Sequence, residues 1–123
     1  MANKGNPQNK PVAVVTGVRP GLGAALARRF AGDYAIAILA RSADYLKGLA
    51  TEMRTGGAAV IELPCDVGDR AQLAKAFSAV RADLGEPATL LYNAGSGSWG
   101  TITEITAEQY EKDWRVKEVA SQF

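Results

Sequence analysis

Histidine does not occur in the 123-residue sequence. Its absence excludes Ser-His-Asp and Cys-His catalysis and every His-ligated metal site. Cysteine occurs once, as Cys65, so neither an internal disulfide nor a CxxC redox pair can form. Cys65 follows an apolar run, where a small buried filler fits better than a reactive thiol. An excess of either charge is missing too. The formal net charge is +1, so no strong field draws the chain to nucleic acid or to a membrane surface. Long hydrophobic runs are also lacking: the longest strongly apolar stretch, Tyr34 to Ala40, is far too short to span a bilayer. The opening MANKGNPQNK has no apolar core of a secretory signal and is expected to be a flexible leader, residues 1–10. A cytoplasmic location is the resulting expectation.

What is present reads as one globular domain, with 47% hydrophobic and 22% charged residues. Pro11 to Thr16 and Tyr34 to Ala40 are short apolar runs without period-two alternation, which suits strands buried on both faces. Ala58 to Leu63 and Ala88 to Tyr92 are expected as a third and fourth strand. Between them run helical patterns. Leu22, Leu26 and Phe30 recur at spacing four. Ser42 can cap a helix with Leu46, Leu49, Ala50 and Met53 inside. Asp69 and Gln72 predict a capping box ahead of the stripe Leu73, Ala76, Phe77, Val80, Leu84, and Thr106 with Gln109 a second box. The strict β-α alternation predicts an α/β fold: a parallel sheet, right-handed crossovers, helices on both faces.

The stretch TGVRPGLG, Thr16 to Gly23, sits between the first strand and the first helix. Glycines there let a backbone approach closely, and a helix N-terminus offers free N–H groups and partial positive charge to an anion. The spacing is not that of a P-loop, which needs GxxxxGK[ST].

TGxxxGxG after the first strand, NAG (Asn93-Ala94-Gly95) after the fourth, and the helix segment Tyr110 to Val116 together resemble the short-chain dehydrogenase/reductase family. The resemblance runs from about Pro11 to Val116. It implies a Rossmann-type domain that binds NAD or NADP, here a partial one over residues 11–123, truncated after the fourth strand and its helix. By the same resemblance Thr16 stabilises the turn, and Gly17, Gly21, Leu22 and Gly23 lie along the pyrophosphate and nicotinamide. Asp66 and Val67 hold the adenine edge, and Asn93, Ala94 and Gly95 line the adenine ribose. Tyr92 stands where many relatives carry a further asparagine.

Which nicotinamide cofactor is favoured depends on the end of the second strand. An acid there accepts hydrogen bonds from the ribose hydroxyls and repels a 2′-phosphate. This sequence has Ala40, then Arg41 and Ser42. A guanidinium matches phosphate with a bidentate fork, and Arg19 adds a second cation. The expectation is NADP(H) rather than NAD(H).

The family's catalytic Tyr-x-x-x-Lys is absent. Four positions beyond Tyr34, Tyr45, Tyr92 and Tyr110 stand Ile38, Leu49, Ser96 and Trp114. Ser96 and Ser98 read as turn residues, and Lys117 replaces the asparagine that relatives carry after Trp-Arg-Val. No catalytic residue is assigned. In the family's strand order the fourth strand lacks a neighbour, so its edge is expected to pair with a second copy or a partner chain. Two readings follow: the NADP(H)-binding part of a reductase, or a non-catalytic nucleotide-binding or regulatory module that associates with another protein.

Overall fold

The computed structural model describes residues 4–95 and 98–119, with side chains through Lys117. Ser96 and residues 120–123 lie outside the described residues. The elements in chain order are β1 (Val12–Thr16), α1 (Leu22–Phe30), β2 (Ala35–Ala40), α2 (Ala43–Thr55), β3 (Val60–Pro64), α3 (Arg70–Asp83), β4 (Pro87–Tyr92) and α4 (Ala107–Trp114), which runs into a π-helical turn, Arg115–Val119. All strand pairs are parallel and the order is β3-β2-β1-β4. This is one half of the doubly wound arrangement, with the order reversing between β1 and β4.

Every residue of β1 and β2 is buried, as continuous apolar runs require when helices cover both faces. Period-two alternation divides them between two cores. Val12, Val14, Ala35, Ala37 and Leu39 face α3, whose Leu73, Phe77, Val80 and Leu84 close that side. Ala13, Val15, Ile36 and Ile38 face α1 and α2, where Leu46, Leu49 and Met53 complete the second core. Burying one such large aliphatic or aromatic side chain stabilises by roughly 1.5–3 kcal/mol.

Three features differ from the sequence expectation. Leu22 is 65% exposed, and the buried face of α1 is Gly23, Ala24 and Ala27. Small residues sit inward because α1 starts almost on top of the β1 backbone, leaving no room for leucine. The capping box of α3 is rewired. Asp69 accepts from the N–H groups of Ala71 and Gln72, as a cap should, but the Gln72 carbonyl accepts from the N–H of Asp66 rather than of Asp69. The α4 box is reciprocal, between Thr106 and Gln109.

The third difference is the segment expected as a flexible leader. Its Gly5 N–H donates to the Asp83 carbonyl at 2.9 Å. Asn6 is 2% exposed. Its amide donates to the carbonyls of Lys10 (2.8 Å) and Leu84 (3.1 Å) and its oxygen accepts from the Lys10 N–H (3.0 Å). The polar residue at this position thus satisfies buried backbone groups where α3 ends, which composition alone does not reveal. Asn6→Ala leaves those groups without a partner and is expected to lower stability by roughly 1–3 kcal/mol. A urea midpoint equal to that of the unaltered protein would show that the segment is not docked.

Candidate functional site

Thr16 ends β1 and is buried. Its hydroxyl accepts from the N–H groups of Asn93 (3.2 Å) and Ala94 (3.4 Å), while the Asn93 amide donates to the Gly17 carbonyl (3.2 Å). The ends of β1 and β4 are thereby stitched together. Gly17 has φ 67°, and a Cβ there would lie 2.6 Å from the backbone of Asn93 and Ala94. A Cβ on Gly23 would lie 2.3 Å from the Gly17 carbonyl oxygen. These two glycines are required by backbone packed on backbone. Gly21, at φ 109°, faces open space and caps α1 without a side-chain hydrogen bond. No side chain caps α1, but its Ala24 N–H donates to the Arg19 carbonyl at 3.1 Å, which leaves the N–H groups of Leu22 and Gly23 and the partial positive charge of the helix end.

This helix end borders a cavity of about 1090 Å³ at the C-terminal ends of the strands, the crevice where open α/β sheets take ligands. The turn contributes Gly17, Arg19, Leu22 and Gly23; the end of β2 contributes Ala40 and Arg41. Asp66 and Val67 come from the loop after β3, and Asn93, Ala94 and Gly95 from the loop after β4. The expected site residues thus converge, with three exceptions. Thr16 lies beneath the cavity, and Gly21 and Ser42 are not part of its lining. Ser42 instead caps α2, its hydroxyl accepting from the Tyr45 N–H at 3.4 Å.

Sequence reasoning missed the wall opposite the sheet. Glu108, Glu111, Lys112, Arg115 and Val116 line it from α4 and the π-helical turn, and Arg70 lines it from the start of α3. Arg70 was traceable, since a cap at Asp69 makes it the first helical residue at the strand end. The α4 wall was not, because it depends on how the long loop before Thr106 folds back. Glu111 pairs with Arg115 at 2.8 Å. Among the described residues Arg19 and Arg41 have no ion-pair partner, so their charge is free for a ligand.

Asp66 uses Oδ1 to accept from the Gly68 N–H at 2.9 Å, which fixes the loop after β3. Cys65 is buried beside it, and burial, with Asp66 and Asp69 nearby, pushes its thiol up to about 11. It is therefore protonated at neutral pH and acts as filler, not as a nucleophile. Asp69 is held below the usual carboxylate range by hydrogen bonds from Gln72 first and Ala71 last. Of the tyrosines, Tyr110 is exposed on α4, and the Tyr92 hydroxyl donates to the carbonyl of Val116.

Comparison with known proteins agrees with this geometry. The family model described as short chain dehydrogenase matches residues 11–119. An uncharacterized oxidoreductase of Caenorhabditis elegans is 42% identical over 98 residues, which are 78% of this chain and 31% of the worm protein. L-sorbose reductase from Gluconobacter frateurii, solved with NADPH and L-sorbose, superposes with a TM-score of 0.86 at 32% identity, over 92% of this chain and 44% of that one. A variant of actinorhodin polyketide ketoreductase solved with NADPH gives 0.86 at 26% identity, over 99% of this chain and 46% of that one. The chain spans 31% of that curated relative and less than half of each solved chain. By fold, strand-end motifs and sequence match together, it belongs to the short-chain dehydrogenase family.

Proposed function

We propose that residues 11–123 form the NADP(H)-binding part of a short-chain reductase acting on a carbonyl or alcohol substrate. One observation carries this reading: an uncapped helix N-terminus and two unpaired arginines, Arg19 and Arg41, border the same strand-end cavity. The two solved relatives named above are NADPH complexes. The donor set fits such a cofactor, since free N–H groups suit a pyrophosphate and guanidinium groups suit a 2′-phosphate.

In this reading the first turn of α1, with Gly21, Leu22 and Gly23, receives the pyrophosphate. Arg41, held between the end of β2 and the α2 cap Ser42, takes the 2′-phosphate, and Arg19 adds charge. Asp66 and Val67 border the adenine, and Asn93, Ala94 and Gly95 the adjoining ribose. Thr16 acts from below by fixing the Asn93 and Ala94 backbone. When bound, the nicotinamide supplies or accepts a hydride. The proton that must accompany it has no Tyr-x-x-x-Lys donor within this sequence, so residues 1–123 bind and orient the cofactor and leave proton transfer to groups outside them.

A second reading is favoured by a different observation. Trp99 and Ile102 are 97% and 94% exposed, Tyr110 and Trp114 are also uncovered, and β4 is a sheet edge. A nucleotide-binding module that associates with a second copy or another protein would use such a face. Sedimentation of the pure chain tests it, and a stable, monodisperse monomer counts against association.

The main reading makes two predictions. The unaltered chain binds NADPH more tightly than NADH. Loss of the charge-assisted contact in Arg41→Ala weakens NADPH by roughly ten- to a hundredfold and NADH by little. Fluorescence titration of both reduced cofactors checks this, and tighter NADH binding by the unaltered chain would overturn it. The second prediction is that the pure 123-residue chain shows no NADPH-dependent carbonyl reduction, measured as loss of NADPH absorbance. Turnover would place a proton donor within these residues and refute the assignment.

A further inference from the structure

Tyr92 ends β4 and does not line the cavity, yet its hydroxyl reaches the cavity wall, donating to the carbonyl of Val116 in the π-helical turn. Val116 lines the cavity. It also packs on the cluster that holds Cys65 and Val67 of the loop after β3, and it lies so near Gly68 that a Cβ added there would be 3.4 Å from Val116 Cγ2 and 3.3 Å from Asp66 Oδ1. Within that loop the Gly68 N–H donates to Asp66 Oδ1 at 2.9 Å, and the Asp66 N–H donates to Gln72 Oε1 at 2.8 Å. One line of contacts therefore runs from the last residue of β4, through a single carbonyl, to the Asp66–Gly68 loop.

The need for such a tie is visible in α4. None of its residues is buried, so its own packing does little to fix where it lies. The turn that follows is π-helical, a geometry that recurs where a helix is adjusted for function. Tyr92 and Val116 both pack on the core beneath α3, so the hydroxyl and carbonyl meet at the margin of a rigid layer. A phenol spans the gap from the strand end to the turn, and removing only its oxygen leaves the ring's packing intact.

We propose that Tyr92 is a positioning residue for the adenine end of the cavity: through Val116 it sets the Asp66–Gly68 loop, and with it the affinity for the adenosine part of the cofactor. The proposal rests on the NADP(H) reading. It assigns Tyr92 no contact with the ligand.

The test uses the whole chain and two ligands, NADPH and adenosine 2′,5′-bisphosphate, which keeps the adenosine end and lacks nicotinamide. Titrations run well below the thermal midpoint, where a purely stabilising role leaves Kd unmoved. Tyr92→Phe is expected to weaken both ligands by the same factor, roughly three- to tenfold, the worth of one hydrogen bond. Gly68→Ala inserts a methyl group between Asp66 Oδ1 (3.3 Å) and Val116 Cγ2 (3.4 Å), at the junction of loop and turn, and is expected to weaken both as well. In the double variant the factors should combine to less than their product, since both act through Val116. Unchanged Kd values in Tyr92→Phe, or fully multiplicative factors in the double variant, overturn the proposal while the cofactor reading stands. If Tyr92→Phe does not fold, Gly68→Ala carries the test, and unchanged binding there overturns the proposal. Absence of NADPH binding by the unaltered chain removes the cofactor reading and the proposal with it.

Discussion

Two stretches of backbone meet where no side chain fits, and the site depends on that meeting. Gly17 lies against Asn93 and Ala94, and Gly23 against the Gly17 carbonyl. Because no Cβ intervenes, α1 can begin directly over the end of β1, and β4 can lie beside β1 up to its last residue. The Thr16 hydroxyl then occupies the space between the strand ends as an acceptor for two N–H groups. A methyl group at Gly17 or Gly23 would push apart the strand pair or the helix, and with them the walls of the cavity. Fold and candidate site share one steric constraint here, so the motif cannot be altered for one without the other.

Electrostatics at the cavity follow from which charges are already engaged. Glu111 and Arg115 pair within one helix, a partly exposed contact worth about 0–1 kcal/mol. The cavity therefore keeps the charges of Arg19 and Arg41 on the side of the glycine turn, with Arg70 and Lys112 as further cations and Asp66, Asp69 and Glu108 as the acids on its lining. Ser42 matters indirectly. By capping α2 it starts the helix two residues after Arg41, at Ala43, so Arg41 stays in the connection at the end of β2, beside the crevice. Cys65, neutral behind the Asp66 loop, adds no charge that would oppose an anion.

The parts of the fold legible in the sequence are those set by periodicity over many residues. The strands β1 and β2 read as unbroken apolar runs because both faces are covered. The inner faces of α2 and α3 read directly from Leu46, Leu49, Ala50 and Met53 and from Leu73, Ala76, Phe77, Val80 and Leu84, all buried. The expected site residues from Gly17 to Gly95 mostly converge because strand ends in a parallel sheet converge. What escaped the sequence depends on single contacts. Leu22 matches the helical period, but the close crossing at Gly23 leaves it outside, while Leu26 and Phe30 of the same stripe still pack on the core beside Ala24 and Ala27. Asn6 looks like one more polar residue in a polar segment, and only the carbonyl of Leu84, 78 positions away, gives it a role. Gln72 has the spacing to close a box on Asp69, but the Asp69 N–H donates to the Asp66 carbonyl at 3.0 Å, and the Gln72 side chain accepts from the Asp66 N–H instead.

The two sides of β1 carry different amounts of cover. On the β2 side the sheet continues to β3, and every residue of β1 and β2 is buried. On the other side β4 is an edge, and Leu90 is 38% exposed. The backbone bonds that β4 makes to β1 hold the Asn93-Ala94-Gly95 loop in the cavity, so the wall beside the glycine turn stands on the least covered strand of the pair. Fraying of β4 would release the partners of the Thr16 hydroxyl before it disturbed α2 or α3, which pack on β1 and β2. Whatever covers the β4 edge therefore acts on the strand-end cavity even without touching it, because it steadies the strand from which that loop emerges.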